Sequence, residues 1–279
     1  MRGTAEGIVG PAPRGQWLEN VAALLLAVLW VLPLVYALWA SFHPPEYATR
    51  FDPFAPLTLE NFQRAAAVAP FARYILNTVL LVTLVLAFQL VLCTLAAYAF
   101  ARYEFPGRRL AFALVLVQIL IVPEVLLVEN YVTLSRLDLV DTLLGIGLPY
   151  MASAFGIFLL RQSFKQVPRD LEDAAQVEGA GPLRTLVTVY VPLARPTYLA
   201  YGLVSVSYHW NNFLWPLVVT SSVETRPITV GLGIFAAPET GVNWSVISAA
   251  TLLSVAPLLV AFMLFQRQFV QSFMRAGIK

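Results

Sequence analysis

VAALLLAVLWVLPLVYALWA, residues 21–40, decides the fold class. The run carries no charged residue. At about 1.5 Å per residue, a helix of this length matches the roughly 30 Å hydrocarbon core of a bilayer. Only helices and closed barrels satisfy their own backbone hydrogen bonds in lipid. A barrel strand alternates apolar and polar residues over about ten positions, and this run does not alternate. A cleaved leader would have a basic start and an apolar core of about 7–15 residues. Here the apolar stretch runs from Val21 to Ser41, and Glu6 and Glu19 offset Arg2 and Arg14 before it. The expectation is an uncleaved first helix of an all-α membrane protein.

Composition extends that reading to the whole chain. Of 279 residues, 59% are apolar or aromatic and 12% are charged, with a mean hydropathy of +0.73. A soluble domain carries about 25% charged residues, because polar groups must cover its outside. A net charge of +2 is too small for a nucleic-acid footprint. One cysteine, Cys93, excludes an intramolecular disulfide and a thiolate cluster, and His43 and His209 are too far apart in sequence to suggest metal chemistry.

Six stretches are long and apolar enough to cross: Val21–Ser41, Asn77–Phe100, Leu110–Val128, Thr142–Leu160, Thr197–Val219 and Val246–Gln266. A seventh patch, Ile228–Pro238, is too short and reads as a loop or interfacial segment. Basic residues in short loops favour the cytoplasmic side. With the N-terminus inside, 13 of the 18 lie inside: Arg2, Arg14, Arg102, Arg108, Arg109, Arg161, Lys165, Arg169, Arg184, Arg195, Arg267, Arg275 and Lys279. Arg50, Arg64, Arg73, Arg136 and Arg226, the other 5, lie outside. Six spans with both termini cytoplasmic are therefore expected. Residues 1–20 form an N-terminal segment, 21–266 the six-helix body in a cell or inner membrane, and 267–279 a tail.

The inner connection 161–195 reads RQSFKQVPRDLEDAAQVEGAGPLRTLVTVYVPLAR. Pro168 suits a helix start, and Asp170, Glu172 and Asp173 suit the positive end of its dipole. Gly179 and Gly181 break the chain, and Pro182 can start a second helix. The result is a short helix–turn–helix at the membrane surface. Leu171, Ala174, Ala175 and Gln176 give the first helix a small-residue side, which fits either a docking face or an ordinary amphipathic connector.

This segment resembles the EAA loop of permease subunits of binding-protein-dependent ABC importers, whose pattern is E-A-A, three residues, G, nine residues, I-x-L-P. Asp173-Ala174-Ala175 stands at E-A-A, Gly179 at G, and Val189-Tyr190-Val191-Pro192 at the last element; Asp173, Val189 and Val191 depart from it conservatively. DTLLGIGLPYMASAFGIFLLRQSF, HWNNFLWPLVV and FQRQFVQSFMRAGIK are similar to the maltose-type carbohydrate permeases, and so are LTLENFQRA and FARYILNTVLLV. The resemblance runs from Leu57 to the end. It implies the type I importer fold, a second permease, two cytoplasmic ATPases and an extracytoplasmic binding protein. Through it, Glu172, Asp173, Ala174, Ala175, Gly179 and Pro192 are candidates for coupling to the ATPase. No G-x-x-x-x-G-K-[ST], H-E-x-x-H or G-x-S-x-G occurs, so this chain is not read as an enzyme and is expected to need no cofactor of its own, with ATP and magnesium on a partner.

Polar residues inside spans face cavities or partner helices. Counting about 1.5 Å per residue along straight helices sets Gln89 and Gln118 at one level, just inside the midplane. The same count puts Glu124, His209, Asn211 and Asn212 at a second, outer level, with Trp210 and Trp215 beside them. Aromatic faces beside amides suit a sugar ring; tryptophans also serve as interfacial anchors and amides as glue between helices. A permease for a carbohydrate is the leading expectation, with glycerol phosphate or another polyol as the alternative solute. An ion-coupled secondary transporter is the alternative of another class, for which Glu124 is the one candidate carboxylate in a span.

Overall fold

The computed structural model describes residues 16–277, apart from 49, 51, 53 and 237–241. All regular elements among the described residues are helical. α1 (Gln16–Ser41) is followed by the short α2 (Glu60–Val68) and the long α3 (Phe71–Arg102). α3 overruns the expected Asn77–Phe100 at both ends.

The third expected span is not one helix. α4 (Arg108–Leu120) stops, Pro123–Leu126 forms a 3₁₀ turn, and α5 (Leu127–Arg136) follows, with a 94° bend between the halves. Pro123 lacks an N–H and disfavours helical backbone at Val122, which is extended at φ −69° and ψ 125°. The fourth is also divided. α6 (Leu143–Gly147) runs into a 3₁₀ turn at Leu148–Tyr150, and α7 (Ala154–Lys165) restarts at 50°. Ser153 caps the new helix, its Oγ accepting from the Gly156 N–H at 3.2 Å.

A surface hairpin comes next. It comprises α8 (Arg169–Val177), α9 (Pro182–Thr185), a π turn at Leu186–Tyr190 and α10 (Val191–Leu193). α11 (Arg195–Asn211) and α12 (Leu214–Val219) share the fifth expected span and are parted at Asn212, whose backbone is extended. α13 (Ile228–Leu232) and a 3₁₀ turn at Gly233–Ala236 occupy the seventh apolar patch, except 237–238, which lie outside the described residues. Ile228, Val230 and Gly231 are buried, so this patch packs inside the protein instead of lying in an interface. α14 (Trp244–Gly277) continues beyond Gln266.

Three described helices are long and apolar enough to cross a membrane, and five crossings result if each bent pair counts as one. The third and fourth expected spans are therefore bent and not straight, because proline and cap residues divide stretches that hydropathy alone reads as continuous. The expected N-terminal segment falls mostly on 1–15, and Lys279 on 278–279; both lie outside the described residues.

α3 is the central post, packed against α6, α7, α11 and α13, while α1 lies along α14 at the margin. Burial is divided among three clusters. One joins Cys93, Tyr98, Leu160, Phe164 and Tyr190 near the end of α3. A second gathers Phe71, Tyr74, Trp210, Ile228 and Ala250 around its start. A third holds Leu81, Val85, Ile146, Trp215 and Val219. Leucines and valines of α1, α3, α4 and α14 face outward, as lipid permits and water does not.

Loops at the α3 start are pinned by buried polar groups. Asn77 Nδ2 donates to the carbonyls of Glu224 and Arg226 at 2.7 and 3.0 Å, and the Ile228 N–H donates to Thr78 Oγ1. Asp141 holds the connection between α5 and α6 against the connection after α12. Its Oδ1 accepts from the Ser221 and Ser222 amides at 3.0 and 3.2 Å and from the Thr225 hydroxyl. Burial alone would raise the Asp141 carboxyl, but the Thr225 hydroxyl and the Ser221 and Ser222 donors outweigh it and hold it well below the ordinary value of 3.8.

Candidate functional site

The hairpin folds by its own punctuation. α8 ends at Glu178, and Gly179 takes the left-handed conformation at φ +79°. The Ala180 N–H then reaches the Ala175 carbonyl and the Gly179 N–H the Gln176 carbonyl, both at 2.9 Å. This double closure satisfies carbonyls that a helix end leaves open. No atom stands within 4 Å of a Cβ added at Gly179, so backbone conformation alone demands glycine there. The second arm is continuous from Pro182 to Leu193 and contains the π turn. Pro192 cannot donate and would crowd the carbonyl four residues back. The π turn answers this by sending the Val191 N–H five residues back, to Leu186.

A clamp joins hairpin and body. The Tyr190 hydroxyl donates to Glu172 Oε2 at 2.6 Å, and Arg102 Nε stands 3.7 Å from the same oxygen. The Arg102 guanidinium lies 4.8 Å from the Tyr190 ring centre and also donates to the carbonyls of Phe164, at 3.0 Å, and Val167, at 2.5 Å. One cation thus ties the end of α3, the end of α7, α8 and the π turn together.

Of the six coupling candidates, Glu172 therefore faces the chain's own body. Asp173 and Ala174 are exposed, Ala175 is half-buried, Gly179 makes the turn, and Pro192 sits one residue into α10. Leu171 and Val177 are exposed on α8, Val177 at 89%. Sequence reasoning missed Arg102 and Tyr190. Arg102 counted only as an inside cation and Tyr190 only as the free position of a pattern; the sole available signal was an arginine at the end of an apolar run.

A cavity of about 400 Å³ opens between α4, α7 and α11, next to the breaks at Pro123 and Ser153. Gln89 is its hub. Gln89 Nε2 donates to the Tyr150 carbonyl at 2.7 Å and lies 3.3 Å from His209 Nε2, while Oε1 accepts from Tyr201 at 2.8 Å and Ser205 at 2.6 Å. Gly156 lets the Tyr201 ring approach, since a Cβ there would fall 2.7 Å from it.

Gln89, Gln118 and His209 line this one cavity, so the two-level arrangement is corrected to one. The helices begin at different heights: α3 starts at Phe71, six residues before the position assumed. Glu124 lies in the 3₁₀ turn beyond the bend, where a straight-helix depth has no meaning. Trp210 is buried with Tyr74 and Ile228, and Trp215 Nε1 donates to the Ile146 carbonyl at 3.0 Å, so both are core residues, neither anchors nor cavity walls. Asn211 is exposed and donates to the Ser207 carbonyl, and the Asn212 carbonyl accepts from Thr229; neither lines the cavity. Among the described residues, no group of three or more His, Cys, Asp or Glu side chains is placed to hold a metal.

The fold and sequence have clear relatives. The chain is 30% identical over 275 residues to the arabinooligosaccharides transport system permease protein AraQ of Halalkalibacterium halodurans, covering 96% of this chain and 98% of that one. It is 31% identical over 269 residues to the sn-glycerol-3-phosphate transport system permease protein UgpE of Shigella flexneri, covering 91% and 95%. Its structure matches a chain in the crystal structure of a bacterial ABC transporter involved in import of the acidic polysaccharide alginate. There the TM-score is 0.82 at 22% identity, over 94% of this chain and all of that one. Residues 7–275 match the family of binding-protein-dependent transport system inner membrane components. The chain belongs to that family: it is a membrane permease component of an ABC importer with the type I fold.

Proposed function

We propose that this chain is one of two homologous permease subunits of a carbohydrate importer, driven by two copies of a cytoplasmic ATPase and fed by an extracytoplasmic binding protein. The observation that carries the reading is the hairpin 168–193, which keeps the EAA spacing and is clamped to α3 and α7. Both termini and the hairpin face the cytoplasm, in line with the basic residues around it. Residues 1–20 and 267–279 flank the membrane body on that side. In this scheme the exposed side of α8, with Asp173, Ala174 and Ala175, seats against the ATPase. The clamp through Arg102 passes its displacement to α3, and the Gln89 hub passes it on to α11. AraQ supports an oligosaccharide as the solute. The UgpE relatives support glycerol phosphate as a second reading.

The test leaves the membrane body intact. Gly179→Asp forces a side chain into left-handed backbone, and Ala175→Arg roughens the docking side. Both variants are expected to insert and to pair with the second permease. Each is expected to lose the co-purifying ATPase, or its stimulation by loaded binding protein. Full substrate-stimulated hydrolysis in both would refute the coupling role.

A further inference from the structure

The wall of the Gln89 cavity contains no lysine, arginine, aspartate or glutamate among the described residues. Its one titratable base is His209, and the hydrogen bonds fix that ring's state. The Tyr150 carbonyl can only accept, so the Gln89 atom facing it must be the amide nitrogen. That nitrogen's second hydrogen points at His209 Nε2, which must therefore offer a lone pair. The imidazole then carries its proton on Nδ1 and is neutral. The N-terminal turn of α7 also borders the cavity, where Ser153 takes the Gly156 N–H. Beyond the wall, the acidic side chain of Glu124 is close enough to act electrostatically on both Tyr150 and Tyr208.

Phosphate and carboxylate sites are built from arginine, lysine or free helix N-termini, because an anion stripped of water needs a charged or multiply donating partner. This cavity offers no arginine or lysine, Ser153 already takes one amide of the α7 start that borders it, and Glu124 sets an acidic group alongside. What it does offer suits hydroxyls on an apolar ring. Tyr150 and Tyr208 present rings 6.3 Å apart at 72°. Gln118 and Asn130 line the space with amides that bond to no other described residue. Its volume of about 400 Å³ lies toward the lower end of small-ligand sites, which run from about 300 to 1,000 Å³.

We propose that this cavity is a charge filter on the pathway: it holds a neutral sugar unit between Tyr150, Tyr208, Gln118 and Asn130 and turns away phosphorylated or uronic solutes. The inference rests on the carbohydrate-permease reading and goes beyond it by separating the solute of the AraQ type from that of the UgpE type. The test uses the assembled importer with Cys93→Ala and a fluorophore on Leu126→Cys at the cavity rim. It is titrated without binding protein, so that the cavity alone selects. The probes are maltotriose, arabinotriose, glycerol 3-phosphate and trigalacturonate over one concentration range. At least one neutral trisaccharide is expected to give a saturable signal, which Gln118→Ala with Asn130→Ala weakens about tenfold, and the two anions are expected to give none. An anion response within tenfold of the sugars, no response to either sugar, or an unchanged response in the double variant would each overturn the filter. Uptake of the same probes with binding protein present tests the importer reading separately. Sugar uptake through a cavity that answers to anions sinks this inference alone.

Discussion

Asp141 shows what one side chain does for the loops at the α3 start. Its backbone is left-handed at φ 59°, as is that of Asp138 at φ 55°, a region that aspartate enters more readily than most residues. Held there, its carboxylate gathers three donors from the 221–225 connection. Because the folded value is depressed, the stability this group supplies is complete above the ordinary carboxyl value of 3.8. It is lost as pH falls from there toward the lower folded value. The latch is therefore closed throughout the physiological range. Asp141→Asn keeps the shape and removes the charge, at a cost of about 1 kcal/mol after solvent screening. Its thermal unfolding is expected to be lowered at pH 7 and to show less further fall toward pH 3 than the wild type; parallel curves would contradict the latch. Neither left-handed position was legible, because LDLVDT contains no turn glycine. Gly179 was legible, since glycine after a short amphipathic run has few other uses.

At the scale of elements, α8 is held mainly by a polar clamp, for none of its residues is fully buried. A hydrogen bond to a charged group contributes about 1.5–3 kcal/mol, and the half-buried Arg102–Glu172 pair adds less than a fully buried pair would. Tyr190→Phe deletes only the bond to Glu172 and leaves the ring over Arg102. Amide exchange in 169–177 is expected to speed up at least tenfold in that variant, with α3 and α11 unchanged. Arg102→Gln is expected to do the same and also to lower the transport achieved per ATP. Equal protection of α8 in both variants would show that the hairpin stands without the clamp. Its outline was readable from Pro168, Gly179 and Pro182. The π turn was not, because Glu172, eighteen residues from Tyr190, and Pro192 jointly select it. The bend at Pro123 was written in the sequence, but one proline hardly lowers the average hydropathy of a run this long, and the run was counted as straight.

Across the whole molecule, apolar residues divide into three buried clusters and a broad outward face, which places the chain in lipid and gives α3 the central position. Sidedness is the remaining global prediction. In a Cys93→Ala background, Leu57→Cys and Glu224→Cys are expected to react with an impermeant thiol reagent from outside intact cells. Lys165→Cys, next to the hairpin, is expected to react only after the membrane is opened; labelling of Lys165→Cys from outside would invert the topology. Class and hairpin were legible because they rest on local pattern. The cavity was not, because Gln89, Tyr150, Tyr201 and His209 meet from three distant segments. The nature of their meeting point has one more consequence. A proton relay needs each member to take up a proton on one side and release one on the other, as chains of carboxyls and imidazoles do in pumps. The member in the middle here is a carboxamide, with both hydrogens and its oxygen already committed, and it does neither on the time scale of turnover. No proton therefore passes from His209 through Gln89 to Tyr201 or Ser205.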